Sequence, residues 1–67
     1  MKTILRQERI SRNWTLDYVA EKVGVSKQAV HDIEVGRRKP SYNVLVALED
    51  LFGLSHRILF SSGNEEK

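Results

Sequence analysis

Lys27, Gln28, His31 and Asp32 stand close together in the stretch GVSKQAVHDIE, Gly24–Glu34. On a helix, residues three and four apart share a face, so these four side chains line one side of a single helix. Each can hydrogen-bond to the edge of a DNA base. The amide of Gln28 matches adenine N6 and N7. The ammonium of Lys27 matches guanine O6 and N7, or a phosphate. The carboxylate of Asp32 can accept from cytosine N4, or act by rejecting other bases. His31 has the least defined role of the four. The same residue types also suit a solvated surface, and taken alone they leave both readings open.

A second polar group follows. Arg37, Arg38 and Lys39 form a row of cations before Pro40, with Tyr42 and Asn43 shortly after. A solvated loop would look like this, and so would a clamp in which flexible cations and two neutral donors hold phosphates beside a groove. Catalytic readings have less support. His31 and Asp32 are adjacent, so on a helix their side chains diverge by about 100° and do not form a base–orienter pair. His56 has no obvious carboxylate partner or nucleophile. The chain has two histidines and no cysteine, which argues against a disulfide or a zinc site. No nucleotide loop or paired-carboxylate site is evident. The chain is therefore expected to be neither an enzyme nor a metal or cofactor binder.

The polar helix needs a frame, and the spacing around Gly24 describes one. Glycine at Gly24 can adopt positive φ and turn the chain sharply out of a preceding helix. Ser26 then caps the next helix. Ala20 is small enough for two helices to cross closely, and Val30 and Ile33 lock them face to face. Two helices joined by a three- to four-residue turn make a helix-turn-helix. The run TLDYVAEKVGVSKQAVHDIEVGRRKP, from Thr15 to Pro40, strongly resembles the DNA-binding domain of the phage Cro and repressor family, also called XRE, in register without a gap. The resemblance extends over roughly residues 3–60, nearly the whole chain.

That resemblance implies a five-helix, all-α, lambda-repressor-like domain. It also implies a transcriptional regulator, most often a repressor, that binds double-stranded DNA as a homodimer. Two recognition helices would enter successive major grooves about 34 Å apart on an imperfect palindrome. It pairs Arg9 with Glu34 across the first and third helices, in a structural role rather than a binding one. The family often has glutamine where this chain has Leu16, and leucine cannot make that phosphate contact. It commonly has a small residue where this chain has Glu49. A rival reading, from another class, is a protein-interaction module such as an antitoxin or an anti-repressor partner. Steep salt dependence would mark the DNA reading.

Along the chain, the first helix is expected from about Thr3 to Arg12, with Thr3 as a cap and Ile4, Leu5 and Ile10 supplying apolar contacts. Arg6, Gln7, Glu8 and Arg12 read as solvated. Asn13 ends this helix, because asparagine tolerates the left-handed region. Trp14 precedes the cap Thr15 as a hydrophobic staple. Leu16–Val23 forms the second helix, with Val19, Ala20 and Val23 inward. Tyr18 either packs its ring on a neighbour or reaches a phosphate. Gly36 ends the third helix and Ser41 caps the fourth, which carries Leu45, Leu48 and Phe52 at core spacing. Gly53 stops it, and Ser55 caps a last turn or two through Phe60. Leu51, Leu54, Ile58 and Phe60 exceed what a core this small can bury, and so point to a partner helix, most simply a second copy.

Sixty-seven residues make one domain with a marginal core. Residues 1–60 are assigned to the DNA-binding domain and 61–67 to a disordered polar tail. The charge is +2 overall and +3 for residues 1–60, because the tail holds one lysine and two glutamates. This mild positive balance is compatible with nucleic acid. No apolar run approaches the roughly 18 residues of a membrane span and no signal-peptide pattern opens the chain, so a cytoplasmic location and no membrane partner are expected.

Overall fold

The computed structural model describes residues 3–61. A serine or threonine with extended backbone precedes each helix: Thr3, Thr15, Ser26, Ser41 and Ser55. The helices are α1 Ile4–Ser11, α2 Leu16–Val23, α3 Lys27–Glu34, α4 Tyr42–Phe52 and α5 His56–Leu59. Four of these hydroxyls accept from an amide in the first turn, at 3.3 Å from Arg6, 3.0 Å from Tyr18, 3.1 Å from Ala29 and 3.4 Å from Val44. Each bond satisfies a donor that the start of a helix would leave unpaired.

Ser55 is the exception, and here the expectation is corrected. It makes no side-chain cap bond. The carboxylate of Glu49, one turn back on α4, takes over and accepts from the His56 amide at 2.7 Å. The same Oε2 lies 2.8 Å from His56 Nδ1, so His56 does have a carboxylate partner, contrary to the sequence reading. The ring and amide bonds from His56 hold the Glu49 carboxyl below its ordinary pKa. Glu49 thus ties the short α5 to α4.

Sharp exits separate the helices. Asn13 adopts φ 61° after α1, the left-handed conformation foreseen for it. Gly24 has φ 80°, and the carbonyl of Ala20 accepts from both the Gly24 amide at 2.8 Å and the Val25 amide at 3.0 Å. This closed turn sends the chain from α2 straight into α3.

Leu5, Val19, Ala20, Val30, Ile33, Leu48, Phe52 and Leu59 form one buried cluster drawn from all five helices. Ala20 is 5% exposed, so its small side chain lies within the α2–α3 crossing. Three apolar assignments are corrected. Ile10 is 47% exposed and Ile4 lies outside the cluster and its packed neighbours, because α1 turns only its Leu5 side fully to the core. On α4 the inner stripe is Val44, Leu48, Leu51 and Phe52, while Leu45 lies outside the cluster and its packed neighbours. An apolar run with more than one greasy face does not say which face is inner.

Trp14 packs against the cluster, its ring 5.0 Å from Tyr18 and 5.2 Å from Phe52. Arg12, expected to be solvated, instead lays its guanidinium 5.4 Å from the Trp14 ring and 5.2 Å from the Phe52 ring. It also donates to the Phe52 carbonyl at 3.1 Å and pairs with Glu8. α1 is thereby fastened to the end of α4. At the other end of α1, the Ile4 amide donates to the Ser61 carbonyl at 3.1 Å. The proposed tail falls almost wholly outside the described residues.

Candidate nucleic-acid interface

α3 divides cleanly into an inner and an outer side. Ala29, Val30, Ile33 and Glu34 are buried, with Lys27 and Gln28 exposed and His31 and Asp32 half-buried. The four base-reading candidates therefore share the outer side, but they are not four free groups. Gln28 Nε2 donates to Asp32 Oδ1 at 3.0 Å. Arg37 Nη1 lies 3.5 Å from the same oxygen. His31 Nδ1 approaches it to 3.7 Å, closer than adjacent helical residues were expected to come, yet too far for a hydrogen bond. Asp32 thus faces its own neighbours and organises the outer side. Its bond takes one amide hydrogen of Gln28, leaving the second hydrogen and the carbonyl oxygen able to bond elsewhere.

The carboxylate of Glu34 anchors the helix from inside. Arg9 Nε donates to Oε2 at 2.6 Å and Nη2 donates to Oε1 at 3.2 Å, a bidentate pair at a site where Glu34 is 1% exposed. The third nitrogen of Arg9 donates to the Trp14 carbonyl at 2.8 Å. Thr3 Oγ1 donates to the Glu34 carbonyl at 3.1 Å, a contact that sequence reasoning missed. Arg9 on α1 and Thr3 at its cap both hold the last residue of α3, and so set how its outer side is presented.

Beyond α3 the chain folds back. The Arg37 and Arg38 amides donate to the Asp32 carbonyl at 2.8 and 3.2 Å. Arg37, Arg38, Lys39, Asn43 and Tyr42 are all exposed, Tyr42 to 77%. Arg38 and Lys39 rim a groove of about 270 Å³ floored by Val25, Ala29, Ile33 and Val44. On the other flank, Leu16, Ser26, Lys27, Gln28 and His31 surround an open depression of about 560 Å³ at the starts of α2 and α3. Tyr18 stacks against Trp14 with Lys22 Nζ 5.4 Å from its ring, which favours the packing role weighed for it.

A family model described as Helix-turn-helix matches residues 5–59, nearly all of the described chain. The chain belongs to the XRE helix-turn-helix family. Two relatives are themselves described as HTH-type transcriptional regulators. AnsR of Bacillus subtilis (strain 168) is 40% identical over 48 residues, which are 72% of this chain and 41% of AnsR. The uncharacterized regulator MJ0272 of Methanocaldococcus jannaschii is 32% identical over 66 residues, 98% of this chain and all of that protein. α2 and α3, joined at the Gly24 turn, make the two helices of the motif. No helix among the described residues is long and apolar enough to cross a membrane.

The four apolar residues assigned to a dimer contact are unequally placed. Leu51, Leu54 and Phe60 pack partly against the chain's own core, whereas Ile58 is 48% exposed.

Proposed function

We propose that this helix-turn-helix protein is a sequence-specific repressor that binds a palindromic operator as a homodimer, with α3 in the major groove. The observation that carries the reading is the split of α3. Its buried side is locked to α1 through Glu34, while its outer side presents hydrogen-bonding groups flanked by exposed Arg38 and Lys39. Lys27, Gln28 and His31 read base edges, and Asp32 orients Gln28. Arg38, Lys39, Tyr42 and Asn43 hold phosphates, which fix register without carrying sequence information. Arg37 joins them by exchanging its contact with Asp32 for a phosphate.

Selection from random duplexes, followed by binding assays on selected and scrambled sites, tests the reading. Gln28→Ala is expected to cost about 1–3 kcal/mol on the selected site and little on scrambled DNA, relaxing one base pair per half-site. Equal losses on both duplexes would remove Gln28 from base reading. A selection that enriches no site would transfer the polar face to a protein partner.

Dimerisation rests on Ile58 more than on its three neighbours. Ile58→Asp is expected to shift a micromolar dimer to monomer in sedimentation, because the new carboxylate would have to be buried without a partner. A wild-type chain that is monomeric both free and on its site would end the dimer proposal.

A further inference from the structure

Leu16 stands in an unusual place for an apolar side chain. It opens α2, is only partly buried, and touches the core with one side. Its other side lines the depression shared with Ser26, Lys27, Gln28 and His31. Four of the five lining residues are polar, and three of those are assigned to base reading. Leucine can neither donate nor accept, so a role here must be one of contact and water exclusion. In the major groove the matching apolar feature is the C5-methyl group of a pyrimidine.

We propose that Leu16 is a specificity-determining residue that packs against a pyrimidine C5-methyl group beside the base contacted by Gln28 or Lys27. The proposal rests on α3 reading the major groove. A methyl group seated against leucine leaves water, and burial of one such group changes affinity roughly fourfold, or about fifteenfold when both half-sites of a dimer lose it. No other side chain around the depression supplies an apolar surface of comparable size. The methyl can come from thymine or from 5-methylcytosine, which present the same group at the same ring position.

The test alters the DNA before it alters the protein. On the selected duplex each thymine is replaced in turn by uracil, which removes only the methyl group. Each cytosine is separately replaced by 5-methylcytosine, which adds one. The expected result is a roughly fourfold loss at one thymine per half-site, or an equivalent gain at one methylated cytosine, according to the source of the methyl. Leu16→Ala and Leu16→Gln should each abolish that sensitivity, whereas Leu16→Met should keep it. Circular dichroism confirms that each variant is folded. Sensitivity that persists unchanged in folded Leu16→Ala, or no sensitivity at any pyrimidine in the wild type, overturns the proposal while leaving the DNA-binding reading intact. A chain that selects no site at all overturns both.

Discussion

Arg9→Met is expected to destabilise the chain by about 3–5 kcal/mol, because it strands the Glu34 carboxylate in the interior without its cation. Glu34 is 1% exposed, and Arg9 supplies both hydrogen bonds to its carboxylate oxygens. A core from a chain this short rarely contributes more than about 3–5 kcal/mol of net stability, so the variant should be largely unfolded at ambient temperature. Urea denaturation followed by circular dichroism measures the loss. The double variant Arg9→Met, Glu34→Met separates two explanations. If the damage comes from an uncompensated charge, replacing both partners by apolar groups should restore most of the stability, because desolvating the pair offsets much of its attraction. If the double variant is as unstable as the single one, the pair is needed for its geometry and the charge argument fails. A loss below about 1 kcal/mol in the single variant would place Glu34 in contact with water.

The other large effect concerns salt. Each phosphate neutralised by a cation contributes about −0.9 to the slope of log affinity against log salt. Arg38→Ala with Lys39→Ala removes two cations per protomer, so a dimer should show a slope shallower by about 3–4 units. Between 50 and 200 mM salt, the wild type should then lose about 100-fold more affinity than the double variant. Selected and scrambled duplexes should respond alike, because phosphates carry no base identity. A slope equal to wild type would detach Arg38 and Lys39 from the DNA backbone. A changed base preference with the slope intact would make them readers instead of clamps. Arg37 is left out of this pair because its guanidinium already faces Asp32 at 3.5 Å.

The frame was legible because its signals are local. The hydroxyls of Thr15, Ser26 and Ser41 accept from amides three residues on, Gly24 turns the chain through its positive φ, and each sits where its helix begins or ends. Arg9–Glu34 is a contact over 25 positions that spacing alone does not reveal, and it came from the family resemblance. The failures are long-range or many-faced. Glu49 reaches across the Gly53 turn to the start of α5, so Ser55 looked like the cap and His56 looked solitary. Leu45 is apolar on a helix whose other faces are apolar too, Ile10 is an apolar residue among polar ones near the end of α1, and only the arrangement of all five helices decides which of them is inner. On the outer side of α3, the four polar positions followed from helical periodicity. The convergence of Gln28, His31 and Arg37 on one Asp32 oxygen did not, because it depends on rotamers and on the chain folding back after Gly36.

The two-sided build of α3 has a consequence for how such a chain can change. Lys27 and Gln28 lie on the exposed side and make no hydrogen bond or ion pair to any other helix among the described residues. On the proposed reading, their replacement would alter the address without disturbing the scaffold, and new operators could be explored one side chain at a time. Asp32 is the position where this freedom narrows. Its carboxylate joins the amide of Gln28 to the guanidinium of Arg37 at the base of the cationic loop, so on the same reading a change there would alter preference and grip together. A lineage drifting toward a new site would be expected to vary first at positions 27 and 28, and to alter position 32 only in company with 37.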